Sequence, residues 1–256
     1  MVLSMDRWIG KVAVVTGASS GIGAAIAERL VKEGLKVAGL ARRDDRLEDL
    51  AKKLSSQKGI FLPIKTDISK ESDILNAFKK IKEQLGPIHI LVNNAGIVPP
   101  GSNILEGNID AWTNIFEVNV IGLCIATREA IKDMKANNVN GHIIHINSIL
   151  GHQVIQFKNM SLYPATKFAV TALAETLRLE LGNQKSKIKI TNVSPGLVDT
   201  EIIGAAKESP AFKEIIANQA ILFPEDIADG VVYALSTPPH VQIQELTIRP
   251  VTEPKF

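Results

Sequence analysis

Short β-branched runs alternate with stretches of helical periodicity along this chain, and that alternation leaves few folds open. Val12-Ala13-Val14-Val15 is too short for a helix and ends in Thr16-Gly17, as a strand buried on both faces of a parallel sheet does. Ile22, Ile26, Ala27, Leu30 and Val31 then recur at helical spacing up to Gly34, which suits a C-terminal cap. Lys36 to Ala41 reads as the next strand. A helix around Leu47, Leu50 and Leu54 follows, then a strand Ile60 to Ile64, a helix through Ile74, Phe78 and Ile81, and a strand Ile88 to Val92. The second half predicts a long helix from Asp110 to Asn137, a strand His142 to Ile146, a helix Pro164 to Leu181, a strand Ile188 to Val193 and a final strand near Gln242 to Ile248. No Ser/Gly-rich spacer or repeat interrupts them. The expectation is a single α/β domain over residues 1–256, a doubly wound, Rossmann-type parallel sheet of about seven strands with helices on both faces. Residues 198–223 are the least regular stretch and read as a cover.

Composition narrows the class further. With 256 residues, 45% hydrophobic and 22% charged, the chain can bury a large core, which excludes disorder. A net charge of +2, with acids and bases mixed along the chain, leaves no electrostatic stripe for nucleic acid. The lone cysteine, Cys124, permits no intrachain disulfide, so a reducing compartment is expected. Asp6 and Arg7 interrupt the start before the apolar core of a signal peptide could form, and no run reaches the ~18 apolar residues of a membrane span. A cytoplasmic protein is expected. His142, His145 and His152 lie along a strand and loop without acidic partners, so they read as packed or polar histidines rather than metal ligands.

Gly17-Ala18-Ser19-Ser20-Gly21-Ile22-Gly23 joins the first strand to the first helix, where main-chain N–H groups and the helix N-terminus attract a pyrophosphate. A tight turn required only for packing would read the same way. At the end of the second strand stands Ala41, not a carboxylate, followed by Arg42 and Arg43. A guanidinium there matches a ribose 2′-phosphate, which favours NADP(H) over NAD(H), although both arginines could instead serve the following helix. Asp67-Ile68 and Asn93-Asn94-Ala95-Gly96 fall at later strand ends and could line the same crevice or merely form turns.

Tyr163 and Lys167 are four apart at the head of a helix and share one face. A neighbouring ammonium favours the phenolate and would draw the tyrosine below its free value of about 10, towards proton transfer at neutral pH. Ser148 follows a strand end, where its hydroxyl could donate to a substrate oxygen or simply cap a turn.

Taken together, Thr16-Gly17-x3-Gly21-x-Gly23, Asn93-Asn94-Ala95-Gly96, Asn119, Ser148, Tyr163-x3-Lys167 and Pro195-Gly196 resemble the short-chain dehydrogenase/reductase superfamily over nearly the whole chain. Three further stretches, Arg7-Trp8-x-Gly10-Lys11, Leu162 to Leu173 and Val241 to Pro250, look like the branch of insect NADP-dependent farnesol dehydrogenases and related 17β/3-ketosteroid reductases. The resemblance implies a catalytic set of Asn119, Ser148, Tyr163 and Lys167. Tyr163 would be the proton donor or acceptor, and Lys167 would lower its pKa and bind the nicotinamide ribose. Ser148 would bond the reacting oxygen, and Asn119 would hold a water of a proton relay. It further implies that Gly17, Ser19, Ser20, Gly21, Ile22, Gly23, Arg42, Arg43, Asp67, Ile68, Asn94, Ala95, Gly96, Tyr163, Lys167, Pro195, Gly196, Val198 and Thr200 bind the cofactor. A homodimer or homotetramer is implied in the same way. The interval from Ser148 to Tyr163 is slightly longer than the family's usual spacing, which bears on the loop rather than on the catalytic set.

Apolar residues crowd the segments expected to cover the pocket: Ile149, Leu150, Val154, Ile155, Phe157, Ile202, Ile203, Phe212 and Phe223. A lipophilic alcohol or carbonyl substrate is expected, a farnesol-like isoprenoid first, with a steroid or dicarbonyl as the alternative. The same side chains could simply pack on the core. A non-catalytic NADP(H)-sensing regulator is the rival from another class, and intact Ser148, Tyr163 and Lys167 count against it.

Overall fold

The computed structural model describes residues 3–155, 162–203 and 221–252. Seven strands run β1 Val12–Thr16, β2 Lys36–Ala41, β3 Ile60–Lys65, β4 Ile88–Asn93, β5 His142–Ile146, β6 Lys189–Pro195 and β7 Glu245–Ile248. They form one sheet in the order β3-β2-β1-β4-β5-β6-β7. Every neighbouring pair is parallel. The chain starts at the centre, winds outward through β2 and β3, and returns to lay β4 against the other side of β1. Strand order reverses there, which opens a crevice at the carboxyl ends of β1 and β4.

Strand parity divides the core in two. Ala13 and Val15 face one way, onto helices α1 (Gly21–Lys32) and α2 (Asp44–Leu54) and onto α7 (Pro224–Ser236). Val12 and Val14 face the other way, onto α3 (Glu71–Gln84), α5 (Leu123–Ala136) and α6 (Leu162–Asn183). β1 is buried at all five positions, as its unbroken apolar run predicts.

The structure differs from the sequence reading in three places. The expected helix from Asp110 to Asn137 is α4 (Ile109–Phe116) joined to α5 through a π-helical segment, Glu117–Gly122. Gly122 permits this segment to dock, because a Cβ there would be driven into the Ile68 carbonyl. By length and composition alone, Ile109–Ala136 is apolar enough to cross a membrane; here it packs against the sheet and α6. The second difference is α7, which the sequence reading passed over. Its signals are Pro224 at the first turn, Glu225 and Asp226, and Ile227, Val231 and Leu235 on one face. The Phe223 amide donates to the Asp226 carboxylate at 2.7 Å, capping the start. The third is β7, which begins at Glu245 rather than near Gln242.

Candidate active site

The glycine loop turns on Gly17 (φ +69°) and Gly21 (φ +53°), and α1 begins at Gly21. No side chain caps this helix, and no acid stands in its first turn, where α2, α3 and α7 each carry two. The first N–H groups of α1 therefore remain available to an anion. Packing also demands the glycines: a Cβ at Gly17 would come within 2.8 Å of the Asn94 amide nitrogen and 2.9 Å of Ala95 Cα. Asn94 holds the loop, since its Nδ2 donates to the Thr16 carbonyl at 2.9 Å and to the Gly17 carbonyl at 3.3 Å. Thr16 Oγ1 in turn accepts from the Asn94 and Ala95 amides, both at 3.0 Å. The glycines are thus needed for packing, and the open helix end beside them has the N–H donors that an anion such as a pyrophosphate would use.

Arg43 bends back over this cradle. It donates through Nε and Nη2 to Ser19 Oγ at 3.2 and 3.1 Å, and through Nη2 to Ser20 Oγ at 2.6 Å. Arg42 is exposed and lies close enough to Asp67 to act on it electrostatically. Burial would raise the Asp67 carboxyl, but hydrogen bonds from the Ser69 hydroxyl and amide, with the charges of Arg42 and Lys70, hold it below its ordinary value. Oδ1 of Asp67 is spent on Ser69, at 2.8 Å to the hydroxyl and 3.1 Å to the amide. The Ile68 side chain packs into the core. Ile22 is partly buried on the opposite core face.

A polar chain leads from the cradle to the candidate catalytic helix. Gly96 lies beside Asn119, which the π segment carries. Asn119 Oδ1 accepts from the Ile97 amide at 2.9 Å, and its Nδ2 donates to the Ile97 carbonyl and to Thr166 Oγ1, both at 3.1 Å. Thr166 donates to the Tyr163 carbonyl at 2.7 Å. Asn119 is thus committed to fixing the β4 loop against α6, and both its amide protons are used within the protein. Ser148 caps a short 3-10 turn, Ile149–Gly151, accepting from the Leu150 amide at 3.1 Å. That leaves its own proton to donate, and the hydroxyl lies near enough to the Tyr163 phenol to favour its ionised form. Lys167 Nζ donates to the Ile146 carbonyl at 2.7 Å and stands 5.6 Å from the Tyr163 ring centre.

Burial pushes the Tyr163 phenol up to about 12, partly offset by Ser148, and pulls Lys167 down to about 8. The sequence reading expected the ammonium to draw the phenol below 10. Here the lysine is turned onto a strand-end carbonyl, and burial outweighs its influence. At neutral pH the tyrosine therefore holds its proton, and the lysine is mostly cationic.

Behind the site, burial and then the Lys167 charge bring His145 to about 3. Burial and the charges of Lys189 and Arg7 hold His142 well below its usual value. Unfolded histidine takes up a proton near pH 6.5, long before these native rings do, so stability should fall as pH drops from about 6.5 towards 3. His145→Asn keeps an acceptor for Asn93 Nδ2, which lies 3.1 Å from the ring. Melting temperatures measured from pH 7 to pH 4 should show a shallower loss in this variant; an unchanged slope would trace the acid sensitivity elsewhere.

Ile149, Leu150, Tyr163 and Ile115 form an apolar cluster of their own, with Ile97, Val98, Ile155 and Leu162 packed on it. Val154, Ile202 and Phe223 are exposed and Ile203 is partly so, while Phe157 and Phe212 lie outside the described residues. Of the segment 198–223, residues 204–220 also lie outside them. Pro195 ends β6, the Gly196 amide bonds to the Ile248 carbonyl at 2.8 Å, and Val198 bridges to Leu222. Thr200 comes back onto the cradle: a Cβ at Gly21 would lie 3.1 Å from its methyl. Sequence reasoning missed Glu201, which accepts from Arg43 at 2.7 Å and from Arg46 at 2.6 Å. Nothing local points to it, because its partners lie over 150 positions away.

Residues 11–211 match the family described as short chain dehydrogenase. The chain belongs to the short-chain dehydrogenase family. Among its relatives, a farnesol dehydrogenase of Aedes aegypti is 48% identical over 250 residues, covering 97% of this chain and 99% of that one. The human dehydrogenase/reductase SDR family member 11 is 43% identical over 254 residues, covering 97% of each chain. Among solved short-chain dehydrogenase-like structures, an alcohol dehydrogenase from Thermococcus sibiricus complexed with 5-hydroxy-NADP superposes with a TM-score of 0.83 at 31% identity. It covers 96% of this chain, which covers 99% of it. The chain is thus an oxidoreductase of this family, similar along its whole length to a farnesol dehydrogenase.

Proposed function

We propose that this protein is an NADP(H)-dependent oxidoreductase that interconverts a lipophilic alcohol and its aldehyde or ketone, with a farnesol-like isoprenoid as the favoured substrate. The convergence of Ser148, Tyr163 and Lys167 at the edge that also carries the uncapped α1 terminus carries the reading. When bound, the nicotinamide supplies or accepts the hydride. Tyr163 holds the proton that a carbonyl oxygen needs on reduction, and Ser148 donates to the same oxygen as it gains charge. Lys167 is anchored by Ile146 and keeps two further N–H donors for ribose hydroxyls. Asn119 holds the π segment and the head of α6 in register.

The adenosine end is read by Arg42 and Arg43, with Ser19 and Ser20 beside them. Asp67, Asn94, Ala95 and Gly96 line the crevice, and Gly196, Val198 and Thr200 lie towards the nicotinamide. The apolar cluster around Tyr163 favours a hydrocarbon chain over an acid. We place the protein in the reducing cytoplasm, as a homodimer or homotetramer.

Absorbance of NADPH followed with farnesal, steroid ketones and small dicarbonyls tests the reading. Farnesal should be reduced; turnover confined to steroids or dicarbonyls would select the alternative of the same branch. Binding of NADPH with no turnover of any of them would select a regulator. Arg42→Ala should weaken NADPH binding by at least about tenfold and NADH binding far less, the loss of one charge-assisted contact. Equal losses for the two cofactors would refute the 2′-phosphate assignment.

A further inference from the structure

Three arginines, Arg42, Arg43 and Arg46, crowd the end of β2 and the start of α2, and the Glu201 carboxylate pairs with two of them, Arg43 and Arg46. Glu201 places Oε2 2.7 Å from Arg43 Nη1 and Oε1 2.6 Å from Arg46 Nη1. Its backbone follows Thr200, whose methyl already rests against the glycine loop. The other donors of Arg43 lie on Ser19 and Ser20. One guanidinium thus carries the glycine-loop hydroxyls on one edge and a carboxylate on another, in the place where a ribose 2′-phosphate would seek it.

We infer that Glu201 is a specificity-determining counter-charge of the cofactor site: it occupies Arg43 and Arg46, stands beside the 2′-phosphate as a like charge, and moderates the preference for the phosphorylated dinucleotide. The inference rests on the NADP(H) reading above. A phosphate dianion and a carboxylate sharing one guanidinium repel each other, while a dinucleotide without the 2′-phosphate meets no such repulsion. The pair is half exposed, at 42% for Arg43 and 54% for Glu201, so salt screens the effect.

The test is calorimetric titration of the wild type and Glu201→Gln with adenosine 2′,5′-bisphosphate, 5′-ADP, NADPH and NADH. Glutamine keeps the shape and a carbonyl for Arg46, so the variant isolates the charge. Affinity for the two 2′-phosphorylated ligands should rise roughly three- to tenfold, affinity for 5′-ADP and NADH should stay within about twofold, and the gain should shrink at high salt. An unchanged ratio, or a fall for all four ligands together as expected of a clasp across the diphosphate, overturns the inference while leaving the NADP(H) reading intact. A wild type that binds adenosine 2′,5′-bisphosphate no better than 5′-ADP overturns that reading, and this inference with it.

Discussion

Turnover in Tyr163→Phe should fall by roughly three orders of magnitude, while the fold and NADPH binding persist. The side chain is 9% exposed within the apolar cluster of Ile115, Ile149 and Leu150, and phenylalanine fills that space equally well. Only the phenolic oxygen is lost, and with it the proton that burial keeps in place up to about pH 12. Ser148 retains its hydrogen bond from the Leu150 amide, so the 3-10 turn beneath the site has no reason to move. Near-wild-type reduction of farnesal by this variant, with NADPH binding verified by fluorescence, would remove the phenol from the chemistry.

The second large effect belongs to Gly23→Ala. A Cβ at this position would be driven into the Gly17 carbonyl and the Asn94 amide, neither of which can yield cheaply. The carbonyl is part of the loop turn, and the amide is fixed by its bonds to Thr16 and Gly17. Relief requires lifting the glycine loop from β4, at a stability cost of about 1–3 kcal/mol for overpacking. The displaced loop no longer aims its N–H groups together. NADPH affinity should drop by roughly two orders of magnitude, the equivalent of about two charge-assisted hydrogen bonds. Gly182→Ala is the control, because nothing lies within 4 Å of a Cβ there and the backbone is ordinary helix. Fluorescence titration and thermal melting should show it neutral or slightly stabilised; a Gly23→Ala protein that behaves like this control would mean the loop has slack.

The central strands β1, β4 and β5 were legible as short, β-branched runs almost wholly buried, and β2 and β5 have the bounds that their residues predict. Helix α7 was missed, although Pro224 and the apolar face of Ile227, Val231 and Leu235 carry its signal, and Gly230 interrupts the periodic stretch. The structure accounts for that glycine: a Cβ there would strike Ile248 on β7. The π segment could not be read, since one residue inserted into a helix leaves polarity unchanged and shifts only the hydrogen-bond register. Tyr163 and Lys167 were correctly expected on one helix face, yet the balance of their charges was not, because the Ile146 carbonyl that takes the ammonium lies 21 positions away. Arg43 read equally as a helix residue or a ligand contact. Its bonds to Ser19 and Ser20 place it over the glycine loop, a relationship that only the β1–β2 pairing creates.

Thr16 and Asn94 are 78 positions apart, yet they fasten the glycine loop to the end of β4. A folding chain cannot complete that seam until β4 has slotted in beside β1, so the glycine turn is a late arrival among the local structures. Once closed, it needs no reordering when a ligand comes. Local opening of β4 would unpick it first, and loss of dinucleotide affinity should then announce partial unfolding well before the helices melt.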